Sequence, residues 1–97
     1  MNTYILLASW TDQGVRNLKD SPSRLEAAKQ AIKTLGGEFK SFHLTMGGHD
    51  MVVIYEAPSD EISARFTLSI ARGGNLRTQT LKAFNETQYR DIIGALS

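Results

Sequence analysis

The sequence predicts an α+β domain in which one four-stranded antiparallel sheet carries two main helices, with a shorter helix at the end of the chain. Two segments with apolar residues at helical spacing separate four short segments rich in β-branched and aromatic residues. Each helical segment ends at a pair of glycines, which is typical of helix termination. The first and third strand segments are apolar at nearly every residue, whereas the second and fourth carry charges, as expected of central and edge strands. The elements therefore follow the order β-α-β-β-α-β.

The length and composition limit the classes of protein to which this chain can belong. The 97 residues are expected to form a single domain, residues 1–97, with a core that needs no metal or disulfide. Hydrophobic residues make up 41% and charged residues 22%, values near the globular average that exclude a disordered chain. Eleven basic and ten acidic residues are interleaved and leave a net charge of +1, so we expect no nucleic-acid partner. The absence of cysteine excludes thiolate metal sites and cysteine nucleophiles and favours a cytoplasmic location.

The N-terminal apolar run, residues 3–10, predicts the first strand. It lacks a basic leader and turns polar at Thr11, which favours a strand over a signal peptide. No segment approaches the roughly 18 apolar residues that would span a membrane, so we expect no membrane association. Residues 11–20 are predicted to form a polar loop.

Start and stop signals bracket the first main helix. Ser21 is the predicted N-cap and Pro22 occupies the first helical position, a favoured combination. Gly36 and Gly37 are predicted to end the helix. The apolar positions at helical spacing are Leu25, Ala28, Ile32 and Leu35.

A predicted hairpin follows this helix. Residues 38–46 and 50–57 are expected to be strands, and the glycine-rich turn at residues 47–49 joins them. Pro58 lacks the N–H that continued strand pairing needs.

The second main helix begins after Ser59, its predicted N-cap, and two acidic residues favour its first turn. Gly73 and Gly74 end it, residues 75–84 form the fourth strand, and Asn85 caps the terminal helix. The inner-face positions are Ile62, Phe66, Ser69 and Ile70 in the second helix and Tyr89, Ile92, Ile93 and Leu96 in the terminal one.

This order of elements is the split βαβ, or ferredoxin-like, arrangement, and its two main helices cover the same face of the sheet. The first and third strands are nonetheless apolar on both sides, and such strands are normally covered on both faces. We therefore expect a second copy of the chain on the open face, giving a homo-oligomer built on a face-to-face dimer, while the last helix could cover part of it. A charged residue in place of Val53 or Tyr55 is expected to break whichever interface covers that face. One side of these strands holds Tyr4, Leu6, Ala8, Trp10, Met51, Val53 and Tyr55, and the other holds Ile5, Leu7, Val52 and Ile54.

The chain contains six short motifs that are rich in glycine, proline and polar residues. They are Trp10-Thr11-Asp12-Gln13-Gly14, Lys19-Asp20-Ser21-Pro22, Gly36-Gly37, Gly48-His49-Asp50, Glu56-Ala57-Pro58 and Gly74-Asn75-Leu76-Arg77-Thr78. Together they resemble the GYD domain family, from about Tyr4 to Phe84. The Gly-Tyr-Asp triplet that names the family has histidine at its centre here. The resemblance implies a ferredoxin-like fold of the dimeric α/β-barrel kind. Related barrels include cofactor-free oxygenases, isomerases, haem enzymes and ligand-sensing domains, so the fold does not choose the function.

The hairpin turn holds the first candidates for chemistry. His49 could exchange protons near neutral pH, and Asp50 could orient it or bind a substrate donor. The structural alternative is a turn in which glycines supply positive φ and Asp50 bonds to the turn backbone.

His43 is the second candidate base. By simple alternation it shares a mixed polar and apolar face with Phe39, Ser41 and Thr45. If that face lines a cavity, His43 is the best general base in the chain; the alternative is an edge-strand histidine with a satisfied hydrogen bond. His43 and His49 lack a third ligand at a recognised spacing, so we expect no metal site, and nothing in the sequence indicates a bound cofactor.

Two more residues have both a structural and a functional interpretation. Glu56 ends a buried strand, where an unpaired carboxylate is costly, and Arg77 or Arg72 could pair with it. A structural salt bridge or a role as acceptor at the helix start is favoured over catalysis. Trp10 either walls a pocket or is a core aromatic residue whose indole N–H finds a backbone acceptor.

Two functions of different classes remain open, with a third in which the open face serves assembly alone. The first is an oligomeric small-ligand-binding or regulatory domain with an apolar pocket, which is favoured because no coherent pair of catalytic groups is present. The second is a small cofactor-independent enzyme, monooxygenase- or isomerase-like, that uses a pocket histidine. The candidate catalytic residues are His43, His49 and Asp50, and the candidate ligand-binding residues are Trp10, His43, Thr45, His49, Asp50, Tyr55, Glu56 and Arg77.

Overall fold

The computed structural model describes residues 1–97 and has the predicted order of elements. One antiparallel sheet has the strand order β2-β3-β1-β4, so the first and third strands are central, as their apolar composition predicts. The predicted ferredoxin-like fold is therefore confirmed. The strands are β1 (Asn2–Trp10), β2 (Glu38–Leu44), β3 (Met51–Ala57) and β4 (Leu76–Ala83), and the helices are α1 (Asp12–Arg16), α2 (Ser21–Thr34), α3 (Asp60–Ala71) and α4 (Glu86–Gly94).

The segment at residues 11–20, predicted to be a loop, contains α1 and a turn of 3₁₀ helix at Leu18–Asp20. Thr11 caps α1, because its hydroxyl oxygen accepts a hydrogen bond from the Gly14 N–H at 3.1 Å. A helix of five residues is too short to show apolar periodicity, which is why the sequence pattern does not reveal it.

Two of the predicted caps are confirmed and one is wrong. The Ser59 side chain accepts from the Ile62 N–H at the start of α3, and Asn85 forms a reciprocal capping box with Gln88 at the start of α4. Ser21 is the first residue of α2 and not its cap; Asp20 occupies the N-cap position and makes no side-chain capping bond.

The hairpin between β2 and β3 is shorter in its strands and longer in its turn than predicted. The strands end at Leu44 and begin again at Met51. The Thr45 N–H donates to the Asp50 carbonyl at 2.8 Å, so the chain closes on itself there and residues 46–49 form the bend.

A β-bulge in β2 overturns the predicted face of His43. Phe39 lies opposite Tyr55 and Ser41 lies opposite Ile54, so the register shifts between them at Lys40. The extra residue inverts the alternation, and His43 therefore lies on the face opposite to Phe39. Simple alternation cannot anticipate this because a bulge is not visible as a change in apolar pattern.

The helix-covered face of the sheet holds the core. Tyr4 and Tyr55 lie opposite each other on β1 and β3, with their rings stacked at a centroid distance of 5.3 Å. Phe66 of α3 meets the Tyr55 ring edge-on at 4.9 Å. Tyr55 is fully buried, and its hydroxyl is hydrogen-bonded to the Ser63 hydroxyl at 2.5 Å. These contacts fix α3 to the sheet.

The other face of the sheet is left open. Ile5, Leu7, Val52 and Ile54 are only half-buried and alternate with the buried residues of the core. Val53 and Tyr55 lie on the helix-covered side, so charged residues there would disrupt the core and would not test an interface on the open face. Helix α4 does not shield the open face within this chain, because its apolar side chains, at Tyr89, Ile92 and Ile93, are exposed.

The buried tyrosines make stability sensitive to alkaline pH. Burial raises the pKa of Tyr4 and of Tyr55, and the hydrogen bond from the Tyr4 hydroxyl to Asp60 (2.5 Å) raises that of Tyr4 further. The same bond, together with Lys82, lowers the pKa of the exposed Asp60 carboxyl. In the unfolded chain Tyr4 and Tyr55 lose their protons near pH 10, whereas in the folded chain they retain them to higher pH.

We therefore expect the free energy of unfolding to fall as the pH rises above about 10, because the folded state then binds more protons than the unfolded state. Urea unfolding between pH 8 and pH 11 measures this fall. Tyr55→Phe should make the fall shallower and cost about 1 kcal/mol at pH 8 through the lost bond to Ser63. The exposed Tyr89→Phe is the matched control and should keep the wild-type dependence; equal slopes for all three proteins would contradict the expectation.

Candidate functional site

A groove of about 650 Å³ lies between α2, the sheet and the start of β4. It exists because α2 faces the sheet largely with alanines, whose short side chains leave space that a larger residue would fill. The strands contribute Leu6, Ala8, Phe39, Phe42, Leu44, Met51 and Val53; α2 contributes Pro22, Leu25, Ala27, Ala28 and Ala31; α3 and β4 contribute Phe66, Ile70 and Leu76.

Two hydrogen-bond donors on residues of the groove lining have no partner, and the surrounding protein atoms close both of them off from the groove. The indole Nε1 of Trp10 and the Nη2 of Arg24 are both buried, and neither has an acceptor. An unpaired buried donor costs about 1–3 kcal/mol, and more when it is charged.

Arg24 is the one charged side chain that lines the groove. Its Nη1 donates to the Asn17 carbonyl oxygen at 3.2 Å, and its Nη2 is buried without a partner. The polar residues that share the lining with it are Ser21, Ser69 and Asn75, which carry no charge. The groove therefore presents one positive charge in a largely apolar wall.

Hydrogen bonds to Asp50 and to the segment before β4 hold the backbone around Trp10 in place. Its own N–H donates to the Asp50 carboxylate at 3.0 Å, and the Asp50 N–H donates to the Ala8 carbonyl at 2.9 Å. The next residue, Thr11, donates from its N–H to the Asn75 carbonyl at 3.0 Å and from its hydroxyl to the Gly74 carbonyl at 2.6 Å. Asp50 thus braces the hairpin against the end of β1, and its carboxylate bonds to the neighbouring strand and not to the turn backbone as the structural alternative has it.

Gly14 allows α1 to approach the segment before β4. A Cβ at this buried position would collide with the Asn75 carbonyl and lie 3.1 Å from the Trp10 ring. The absence of a side chain at Gly14 therefore sets how closely Asn75 and Trp10 pack at the end of the groove.

Neither histidine lies in the groove lining. His43 is exposed on the open face of the sheet, opposite Val52. His49 is half-buried in the hairpin, where its carbonyl oxygen accepts a hydrogen bond from the Thr45 hydroxyl at 2.6 Å. The structure therefore does not bring the candidate bases together with Trp10.

The other predicted site residues are dispersed as well. Tyr55 is fully buried in the core. Glu56 lies 3.9 Å from the Lys40 ammonium, so its partner is a lysine of the neighbouring strand and not Arg77 or Arg72 as predicted. Arg77 is exposed on β4, opposite Ser9.

The chain has no cluster of three His, Cys, Asp or Glu side chains that could hold a metal ion. Its helices are also too short or too polar for any of them to cross a bilayer.

Sequence reasoning missed Arg24 as a groove residue. A signal was present, because Arg24, Ala28 and Ala31 are spaced by four and three residues and so share one face of α2. A single arginine on the apolar stripe of a helix stands out from the basic residues on its solvated side.

Comparison with known proteins adds a family and several relatives. The model of the GYD domain matches residues 4–93. A glutamine synthetase and cystathionine beta-lyase binding protein of Thermus thermophilus is 31% identical over 84 residues, covering 86% of this chain and 88% of the relative.

Two solved structures share the fold. A feast or famine regulatory protein from M. tuberculosis, complexed with L-methionine, superposes with a TM-score of 0.67 at 19% identity. The match covers 88% of this chain and 51% of that one, so this chain spans about half its length. A crystal structure of a protein from Thermus thermophilus has a TM-score of 0.54 at 23% identity, covering 88% of this chain and 95% of that one.

We expect Gly14→Ala to destabilise the protein by about 1–3 kcal/mol, because the added Cβ cannot fit against the Asn75 carbonyl. Its tryptophan fluorescence should also change, since Trp10 is the one tryptophan and lies beside the collision. Gly48→Ala is the matched control, because a Cβ there meets nothing within 4 Å. Thermal unfolding followed by fluorescence measures both effects. A Gly14→Ala variant as stable as Gly48→Ala would show that the contact between Gly14 and the Asn75 carbonyl is not tight.

Proposed function

This chain belongs to the GYD domain family, and we propose that it is a regulatory domain that binds a small, largely apolar molecule in the groove under α2 and pairs with a second copy through its open sheet face. The observation that carries the proposal is the groove itself, whose lining is mainly apolar and includes one charged residue, Arg24.

The groove has the size and lining of a small-molecule site. Its volume of about 650 Å³ falls within the range of about 300–1,000 Å³ typical of ligand pockets. Such pockets combine apolar walls with a few polar groups, and the polar residues of this lining are Ser21, Arg24, Ser69 and Asn75. A structural neighbour holds L-methionine on the same fold, although that likeness extends to the fold and not to the ligand.

The relative from Thermus thermophilus suggests that such a domain could act by binding another protein. That relative is named for binding glutamine synthetase and cystathionine beta-lyase. By analogy, we propose that this chain contacts an enzyme and that occupancy of its groove alters the contact. Purified candidate enzymes and this protein, mixed with and without ligand, provide the direct test.

A second copy on the open face would explain why Ile5, Leu7, Val52 and Ile54 are apolar. These side chains form a contiguous half-buried surface on the two central strands, and helices cover only the other face. Removing such a surface from water is the main driving force for association. We propose a face-to-face dimer as the smallest unit of assembly.

The groove does not favour the enzymatic alternative. Arg24 is the one ionisable side chain in its lining, and a guanidinium group stays protonated at neutral pH, so it cannot act as a general base. His43 and His49 lie elsewhere, on the open face and in the hairpin.

We expect a small molecule to be released when protein purified from its native host is denatured and the extract is analysed by mass spectrometry. Ala28→Phe should release less of it, because the larger ring occupies the groove. Ala64→Phe lies on the exposed side of α3 and should release as much as the wild type. Equal release from both variants would contradict the groove as the binding site.

We expect Ile54→Lys to lower the molar mass of the protein in solution towards that of one chain, because it places a charge in the proposed interface. Size-exclusion chromatography with light scattering measures this. Leu68→Lys is the matched control, since Leu68 is an exposed apolar residue of α3 away from the sheet. An Ile54→Lys protein with unchanged mass, or a wild type that is already monomeric, would contradict assembly through this face.

A further inference from the structure

We propose that Arg77 of each copy forms ion pairs with Glu38 and Glu56 of the second copy, and that these pairs orient the dimer built on the open sheet face. The inference rests on the assembly part of the proposed function, because it states how the two copies lie against each other. It follows from the positions of the charges on that face and from the symmetry of a two-chain assembly.

The strand register fixes the layout of the open face. Its residues form four rows, and each complete row crosses the sheet from β4 through β1 and β3 to β2. The rows are, in order, Ala83, Thr3, Glu56 and Glu38; Leu81, Ile5, Ile54 and Ser41; Gln79, Leu7, Val52 and His43; and Arg77 with Ser9. The apolar residues therefore occupy mainly the middle of the face, and the first and last rows carry the charges.

The Glu, Lys and Arg side chains of this face lie at two diagonally opposite corners. Arg77 is exposed at the β4 edge in the last row, and it takes part in none of the ion pairs of the chain. Glu38 and Glu56 lie in the first row, and the Lys40 ammonium is 3.4 Å and 3.9 Å from their carboxylates. Two carboxylates and one ammonium group leave one negative charge at this acidic corner.

The two corners are too far apart to interact within one chain. Three steps of about 4.8 Å between strands and three steps of about 6.8 Å between rows separate Arg77 from Glu38, which gives a diagonal of about 25 Å. That separation is well beyond the Debye length of about 8 Å at physiological salt. Any energetic coupling between Arg77 and Glu38 therefore arises between copies.

The direction of the two-fold axis decides which corners face each other. In a two-fold dimer a contact from one residue to another is repeated in the opposite sense by the second copy. An axis parallel to the strands would place Arg77 opposite the corner near His43, and an axis across the strands would place it opposite Ala83. An axis along the diagonal between those two corners places Arg77 of each copy opposite the acidic corner of the other.

The diagonal axis is favoured because it is the arrangement that pairs the charges of this face. Either alternative would leave Arg77 and a carboxylate at the edge of an apolar contact without partners, which costs free energy of desolvation. Opposite charges at the rim of an interface also fix its register. The dimer then has an ion-pair cluster at each of two ends of an apolar centre, and the strands of the two copies cross steeply, as in orthogonal sheet packing.

Charge reversal, measured by analytical ultracentrifugation of the whole protein, tests the inference. Arg77→Glu and Glu38→Arg should each raise the dimer dissociation constant by at least about tenfold, because each change replaces two attractions per dimer by two repulsions. The double variant Arg77→Glu/Glu38→Arg reverses the charge of both corners. It should return to within about threefold of the wild type, a recovery that residues so far apart in one chain would not otherwise show.

The matched control combines Glu38→Arg with Arg65→Glu. Arg65 is exposed on α3, which covers the opposite face of the sheet. One reversal of each sign leaves the net charge at +1, as in the wild type and in the double variant. The control should therefore dissociate as readily as Glu38→Arg alone, and thermal unfolding of each variant checks that it is folded.

The outcomes separate this inference from the proposed function. Recovery in Arg77→Glu/Glu38→Arg but not in the control would support the ion pairs. An unchanged dissociation constant in Arg77→Glu, or no recovery in the double variant, would overturn the orientation if Ile54→Lys still separates the copies. A monomeric wild type, or a dimer that Ile54→Lys leaves intact, would overturn the inference together with assembly through the open face.

Discussion

The stack of Tyr4 on Tyr55, closed by the edge of Phe66, fixes α3 to one half of the sheet, and the rest of the structure depends on how unequal the two halves are. Aromatic rings fill the space under α3. Under α2, Ile32 is fully buried, but the short side chains of Ala28 and Ala31 beside it leave a groove. The helix layer is therefore closely packed at one side and open at the other, so a site can form without loss of the core.

The two faces of the central strands then take on different tasks. Tyr4, Leu6, Val53 and Tyr55 face the helices and build the core, and part of that face floors the groove. The opposite face is apolar and uncovered. Asp50 links the end of β1 to the β2–β3 hairpin. Its carboxylate accepts a hydrogen bond from the Trp10 backbone, and its own carbonyl accepts the bond that closes the hairpin. A residue that the sequence offers as a candidate for catalysis thus works as a brace for the end of the groove.

Much of the fold follows from the sequence, because its signals are local. Caps at Ser59 and Asn85 and the apolar character of the central strands depend on near neighbours, and the structure confirms them. The side on which His43 lies depends on the bulge at Lys40, which has no local signature. The groove is harder still to foresee, because its lining comes from several strands and from α2 and α3, and it forms only after these elements have packed. The spacing of Arg24 from Ala28 was the one clue, and it indicates a face of a helix but not a cavity.

The central claim is that the functional site lies at Trp10 and α2 and not at the candidate histidines. Because the chain has a single tryptophan, its indole N–H gives one cross-peak in a ¹H–¹⁵N NMR spectrum, and that peak reports directly on the groove. On titration with decanoate, chosen as a small apolar probe that suits the mainly apolar lining, we expect this peak to move saturably together with the backbone signals of residues 24–31. Largest changes at His43 and His49, with an unmoved indole peak, would contradict the claim.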